Sequence, residues 1–557
     1  MLQEAYYLFS SWDPVGRAPL LSGVAYYDDS IIVGTEGLLE WVNENPGVDV
    51  ASVIREGRFS CVWASASSLV AWCDDMAQET IYYYEDAGRW AFSNSFLALA
   101  RELRTRGVSL SVHKGALAAF DIGNYSLFGG QLVSHQTPIR EIRVLSNNHQ
   151  LKVTDLEGRQ NFSLDHRPRQ AQVETLDPES YIGGLQQFVS SWKGRFSAMA
   201  EKNLFDHYKV GLSGGYDSRI TFALAYQGLS GSTDRYQINS DPKKLDDLGP
   251  ANAIRELYQI ENGFKPSNPV RVNGEKAYDL WKLGNVGVYL PVYLARREIP
   301  AKAVNVHGGH FRAHAYAKMS AQQRLSVIQK KLPGGNVPKR EFAEVWCDAF
   351  REMDVDMDDP RAMHQHYLNF RARFHYGRSW YKNLSNIVMT PLLSAKLKAL
   401  SDAFIWGGGD MQQVTYDLMY LLDPQLTEMP FDREEKRFPS EVKARSLVKG
   451  CALAGRVPIG GGRVYGGGIT GNDTEVAADG RCRSLAELGR AVSDRMVEEF
   501  RTEGVAAVDC GLADHLSFLK MRTVVKLGRE SSSTRALLSW WVTRAEIANL
   551  TGGRRDI

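Results

Sequence analysis

The sequence predicts a chain of mixed class, α+β and then α/β, in two domains. Residues 1–165 read as an antiparallel, sandwich-like β domain, and residues 175–557 as a domain built on a parallel sheet with extra helices. Three observations carry this. Short alternating stretches crowd the first 165 positions, separated by turn residues such as Glu85-Asp86-Ala87-Gly88. A strand, a glycine turn and a helix follow one another around residue 213, and strand and helix alternate again further on, as parallel βαβ units do. From residue 484 to 550, apolar side chains recur at helical spacing. A chain of 557 residues also exceeds what one core organises.

In the first part, strands are expected at 5–9, 23–27, 30–33, 59–64, 68–73, 80–84 and 90–93. Residues 158–174, with Arg167-Pro168-Arg169-Gln170, have a linker's composition. Asp177-Pro178 then starts a helix, aspartate as cap and proline at the first helical position, and Tyr181, Leu185, Phe188 and Trp192 mark its apolar face.

The stretch Lys209-Val210-Gly211-Leu212-Ser213-Gly214-Gly215-Tyr216-Asp217-Ser218-Arg219-Ile220 organises the second part. Val210 and Leu212 end a buried strand, Gly214 and Gly215 make a turn, and Asp217-Ser218 opens an apolar helix. Unpaired N–H groups at a helix start carry partial positive charge, so this geometry suits a phosphate. It is not a Walker A loop, because no Gly-Lys-Ser/Thr follows the glycines.

A second strand is expected at 235–239, followed by Leu245-Asp246-Asp247-Leu248 and an amphipathic helix. A third, at 303–306, runs into His307-Gly308-Gly309-His310. Histidines at a strand end can serve as a general base for an attacking amine; ligand contact and loop packing are the other roles open to them. Neutral imidazole is a poor magnesium ligand, since magnesium prefers oxygen. Arg371 or Arg373 could pair with a carboxylate or phosphate, or be solvated. Gly460-Gly461-Gly462 and Gly466-Gly467-Gly468 read as a mobile connector rather than a second phosphate cradle, because no strand and helix frame them. Trp540-Trp541 is expected in the core of a helical tail that also buries Leu488, Val492, Met496 and Phe500.

Composition narrows the function classes. Lys+Arg of 66 against Asp+Glu of 65 leaves a formal net charge of +1, without the basic excess that usually accompanies nucleic-acid binding. Six scattered cysteines form no CxxC pair, which argues against a disulfide framework and a zinc site and for buried thiols in a reducing compartment. Met1-Leu2-Gln3-Glu4 lacks the basic start of a signal peptide, and no stretch reaches the ~20 apolar residues of a membrane span. A cytoplasmic protein without membrane or nucleic-acid partners is expected.

Ser213-Gly214-Gly215-Tyr216-Asp217-Ser218 resembles the pyrophosphate loop of the ATP pyrophosphatases. Gly57 to Trp63, Ala71 to Asp75, Ile81 to Tyr84, Trp90 to Leu99 and Ile139 to His149 resemble, in order and spacing, the class II glutamine amidotransferase domain of asparagine synthetases. The chain is therefore similar to the asparagine synthetase superfamily, closest in type to lasso-peptide cyclases and β-lactam synthetases. That resemblance implies an Ntn-type first domain and an ATP pyrophosphatase second domain. It implies ATP and Mg2+, with Leu212, Ser213, Gly214, Gly215, Tyr216, Asp217, Ser218, Ile238, Gly308 and Gly309 holding nucleotide and Asp217 the metal; Asp246 or Asp247 would sit near ATP.

His307 stands where relatives have glutamate or tyrosine, and His310 where they have aspartate, so both are catalytic candidates. Lys436 and Lys443 lie where relatives place a lysine over the reaction centre, and Ser394 replaces an aspartate, keeping a helix cap while losing a charge. The family's nucleophile is an N-terminal cysteine, whereas Leu2 follows Met1 here and the first cysteine is Cys61, so a glutaminase relic is implied. The implied substrate is a small molecule or peptide bearing carboxylate and amine, with a protease or carrier as a possible partner. Peptide macrolactam or lactam formation in antibiotic biosynthesis is the leading expectation. An amidating enzyme of surface polysaccharides or a nucleotide-binding pseudoenzyme platform are the alternatives.

Overall fold

The structure is a computed structural model that describes residues 6–13, 18–65, 67–122, 128–156, 160–167, 176–230, 236–240, 244–260, 270–298, 302–309, 319–332, 336–467, 482–526 and 532–552. Its fold is mixed α/β with antiparallel and parallel sheets. Among the described residues, ten strands come from the first 166 positions: β1 (Leu8–Ser10), β2 (Leu20–Tyr27), β3 (Ser30–Val33), β4 (Glu56–Ala64), β5 (Ser68–Cys73), β6 (Tyr82–Asp86), β7 (Arg89–Ser93), β8 (Arg143–Val144), β9 (His149–Thr154) and β10 (Asn161–His166). Five follow: β11 (His207–Gly211), β12 (Tyr236–Asn239), β13 (Ala303–Val306), β14 (Ile387–Met389) and β15 (Arg463–Tyr465).

Alternation builds the first two sheets. One has the order β1-β7-β6-β8, the other β10-β9-β5-β4-β2-β3-β15. Phe9, Tyr83, Trp90 and Phe92 of the first meet Val62, Leu69, Ala71 and Val153 of the second, so the sheets pack face to face. The outer face of the larger sheet buries Phe59, Cys61 and Trp72 against Leu38 and Trp41 of the helix Gly34–Glu44. The outer face of the smaller one packs Tyr82, Tyr84 and Ala91 against the helix Phe96–Thr105. The result is four layers: helix, sheet, sheet, helix.

The third sheet is parallel, in the order β12-β11-β13-β14. One of its faces is apolar: Tyr208, Val210, Tyr236, Ile238, Val304, Val306, Ile387 and Met389 join a core with the helices Pro178–Glu201, Tyr216–Gly228 and Met411–Leu422. The helix Pro178–Glu201 starts as expected, Asp177 accepting the Ser180 amide at 2.8 Å. On the other face Gln237, Lys209 and Asn305 fall in one cross-strand row with Val388. The tail forms the helices Leu485–Asp509, His515–Lys526 and Ser532–Leu550, and Leu488, Val492, Met496, Phe500 and Trp541 are buried there.

Three expectations need correction. Residues 161–167 are not linker: Asn161–His166 is β10, and Arg167 is buried, donating to the carbonyls of Cys73 at 3.0 Å and Ala51 at 3.0 Å. The glycine triplets are not a loose connector through residue 467. Arg463–Tyr465 forms β15, parallel to β3, and the glycines allow contact too close for a Cβ: one on Gly462 would lie 2.1 Å from the Gly194 carbonyl oxygen. Gly468 lies outside the described residues. Arg373 is buried rather than solvated, Arg371 is partly buried, and among the described residues neither pairs with a carboxylate; they reach back to the Leu145 carbonyl and the Gln131 side chain respectively, each at 2.8 Å.

Candidate active site

In the strand order β12-β11-β13-β14, the chain leaves β11 and β13 towards opposite edges, which opens a crevice at their carboxyl ends. Ser213 to Ser218 form one wall and His307 to Gly309 the other. The walls touch: a Cβ on Gly308 would lie 2.4 Å from that of Asp217. Gly309, at φ +67°, adopts the left-handed conformation that glycine tolerates best.

Side chains knit the turn after β11. Ser218 Oγ, in the first helical turn, is 3.0 Å from Ser213 Oγ and accepts the Ser213 amide at 3.2 Å. The Gly215 amide donates to Ser213 Oγ at 3.3 Å, and Ser240 Oγ donates to the Leu212 carbonyl at 2.8 Å. Gly215 precedes the helix Tyr216–Gly228, whose start has no side-chain cap. Where a Cβ of Gly215 would stand, only Ser213 Oγ among the described residues comes within 4 Å, at 3.5 Å. The Gly214 amide donates to Asp247 Oδ1 at 3.2 Å, so one loop donor already holds a carboxylate. This donor set fits the oxygens of a phosphate chain. Asp217 and Asp247 are oxygen donors of the kind magnesium prefers, although no three His, Cys, Asp or Glu side chains among the described residues converge as a metal centre.

A strap, residues 426–438, is bound down over this loop. Fully buried Arg219 donates to the carbonyls of Leu426 at 3.1 Å, Met429 at 3.0 Å and Pro430, and its guanidinium stacks 3.7 Å from the Phe431 ring centre. Burial holds the Arg219 pKa down to about 10, against the pull of nearby Asp432. Tyr216 is held by Phe431 and Phe438, with both ring centres at 5.0 Å, and its hydroxyl donates to the Lys436 carbonyl. The Asp432 amide donates to the Gly214 carbonyl at 3.3 Å, and Lys436 Nζ binds both Asp432 carboxylate oxygens at 2.7 and 2.6 Å.

Lys436 therefore belongs to the loop's neighbourhood, whereas Lys443 pairs with Glu428 at 2.8 and 2.6 Å on the exposed side of the strap. Ile238 is in register with Val210 and buried in the core face. The His307 amide donates to the Met389 carbonyl at 3.1 Å, and its ring borders a cavity of about 460 Å³ together with His375, Tyr376 and Lys382. His310 lies outside the described residues.

The amino-terminal half supports the crevice from below through residues that sequence reasoning missed. Arg58 of β4 donates to the Thr390 hydroxyl at 3.3 Å and to the Tyr376 carbonyl at 2.8 Å. Glu56 accepts from Ser394 Oγ at 2.8 Å and from the Lys396 amide at 2.7 Å, at the start of the helix Ala395–Trp406. The charge absent from position 394 is thus supplied from another part of the chain. Neither residue announces itself, since both sit in an ordinary strand. Cys61 and Cys73 are buried in β4 and β5, and burial pushes both thiols up, away from the thiolate. Compared with protein-family models and with curated proteins, the chain matches none.

Proposed function

We propose that the chain is an ATP-dependent, AMP-forming amide synthetase of the asparagine synthetase type: an Ntn-type domain without glutaminase activity beside an ATP pyrophosphatase domain. One observation carries the reading. The Ser-Gly-Gly-Tyr-Asp-Ser turn sits at the switch point of a parallel sheet, with a helix start that has no side-chain cap and a lysine-bearing strap fastened over it. The helix–sheet–sheet–helix layering and the two inert cysteines support the rest of the assignment.

ATP, when bound, supplies an α-phosphorus for a substrate carboxylate to attack. Ser213, Gly215 and Ser218 would bind the departing diphosphate, Asp217 and Asp247 would hold its magnesium, and Lys436 would counter charge as it develops. His307, on the facing wall, would take a proton from an incoming amine. Formation of a peptide macrolactam or lactam is the preferred outcome, and amidation of a surface sugar the alternative. In the test, ATP with the correct substrate gives AMP and pyrophosphate, Asp217→Ala lowers the rate at least tenfold, and glutamine yields no glutamate. Steady ADP release would eliminate the mechanism.

A second reading, a nucleotide-binding platform without turnover, draws on the altered loop after β13, in which His307 stands where relatives have glutamate or tyrosine. Unchanged AMP release in Asp217→Ala would favour it.

A further inference from the structure

Where the two halves of the chain meet, a cation is buried without an acid of its own. Arg58, in β4, is 2% exposed, and among the described residues no carboxylate lies within ion-pair distance of it. Burial lowers its pKa, against the pull of Tyr26, Asp74 and Glu79. Elsewhere the fold pairs buried cations directly: Lys282 holds Glu499 and Glu546, and Arg167 holds Asp75. An interior charge without such a partner is kept against a desolvation cost that its hydrogen bonds must offset.

Those bonds go to two separate segments of the later half. One terminal nitrogen of the guanidinium donates to the Tyr376 carbonyl at 2.8 Å, and the other to the Thr390 hydroxyl at 3.3 Å and to Gln78 Oε1 at 3.1 Å. A planar fork fixes the separation of its acceptors. Arg58 therefore sets how residues 376 and 390 stand relative to each other.

Both segments bear on His307. The Tyr376 and His307 ring centres are 5.9 Å apart, and Met389, next to Thr390, accepts the His307 amide at 3.1 Å. Thr390 also backs the turn that follows His307: a Cβ on Gly309 would stand 3.0 Å from that of Thr390. Further contacts close the same seam. Ser379 Oγ donates to the Gln78 carbonyl at 3.3 Å, and the Trp380 amide to the Glu79 carboxylate at 2.9 Å.

We infer that Arg58 is a positioning residue for His307, acting through Tyr376 and Thr390, so that the amino-terminal half shapes the crevice wall that faces the phosphate loop. The inference rests on the crevice being the adenylation site, where His307 takes the proton of the amine. A base works only when its surroundings hold it within hydrogen-bond reach of that proton. The relic half would then serve the reaction through geometry, with no chemistry of its own.

The test reads His307 directly, without substrate. The full chain is labelled with carbon-13 at histidine Cε1 and observed by NMR, the His307 signal being assigned by its loss in His307→Gln. Spectra are taken above the range in which Asp74 and Glu79 titrate, both at about 7, so that their charge is constant. Arg58→Met and Thr390→Val should each shift the His307 signal in the same direction, and the double variant should shift it no further than Arg58→Met alone. The signals of His149 and His166, on β9 and β10, should stay in place, which a general loosening of the fold would not allow. Thr390→Val removes one acceptor and no charge, so it decides the matter where Arg58→Met fails to fold. An unmoved His307 signal in both variants, additive shifts, or equal displacement of His149 and His166 overturns the inference. Calorimetric titration of the parent with magnesium and α,β-methylene-ATP judges the underlying reading separately. Binding supports the crevice as a nucleotide site, and its absence strikes that reading while the histidine spectra still judge Arg58.

Discussion

Glu56 and Ser394 are 338 positions apart in sequence and 2.8 Å apart in space. A carboxylate at a helix start satisfies an orphan amide and interacts favourably with the helix dipole. Glu56→Gln should therefore cost about 1 kcal/mol in denaturant unfolding, and Ser394→Asp in that background should recover most of it. Two further acids, Asp74 and Glu79, are buried in the amino-terminal half, and burial pushes each up to about 7. Asp74 accepts the Gln78 and Glu79 amides, and Glu79 accepts those of Thr80 and Trp380. A folded pKa above the unfolded one means that the protonated form is the stabilised one. Their contribution is complete below about pH 4 and is lost as pH rises towards 7, on the order of a few kcal/mol together. Calorimetry should show this component of the melting temperature falling between pH 5 and 7.5 and then levelling. Glu79→Gln should flatten the slope and lower the acid-side plateau, since one acceptor becomes a donor.

At the scale of elements, the strap and the phosphate loop act as one unit because Gly214 lets their backbones meet. A Cβ there would stand 2.4 Å from that of Asp432 and 2.6 Å from its nitrogen. Gly214→Ala should lift the strap, lowering AMP release at least tenfold while costing only about 1–3 kcal/mol of stability; equal losses of folding and activity would contradict this. Tyr216→Phe removes the hydrogen bond to the Lys436 carbonyl and should cost about 1 kcal/mol with the aromatic packing kept. The loop was legible in the sequence because a glycine pair after a short apolar strand is a local pattern. The strap's fastening was not, because Arg219 acts through carbonyl oxygens, which leave no trace in residue type. Short strands escaped for a different reason. β14 and β15 span three residues each, too few for an alternation to register, and pairing across the sheet defines them.

Across the whole molecule, the two halves share their interior. One core joins Tyr82, Phe96, Leu117 and Ile142 to Trp281, Trp346, Phe370 and Trp541. Lys282, Glu499, Glu546 and Arg101 link the helix Phe96–Thr105 to three helices of the later chain. A fragment of residues 176–557 should consequently bind hydrophobic dye and melt without a cooperative transition, whereas the full chain should unfold sharply. Part of the order of strands and helices was readable from pattern alone, namely the strands near 23–33, 59–73 and 80–93 and the strand, turn and helix around residue 213. The shared core was not, since apolar periodicity tells which face is buried and not what buries it.

The three-residue strand β15 occupies the border of the seven-stranded sheet, with Arg463 and Tyr465 both anchored to Glu44 and the Gly466 amide to Glu40. Without it, β3 would present a bare row of amide and carbonyl groups, a template on which another molecule's strand could dock. Colloidal behaviour should then hinge on so small a piece of chain. A Val464→Pro protein, unable to seat its clasp, should elute as dimers and larger species in light-scattering chromatography at concentrations where the parent stays monodisperse.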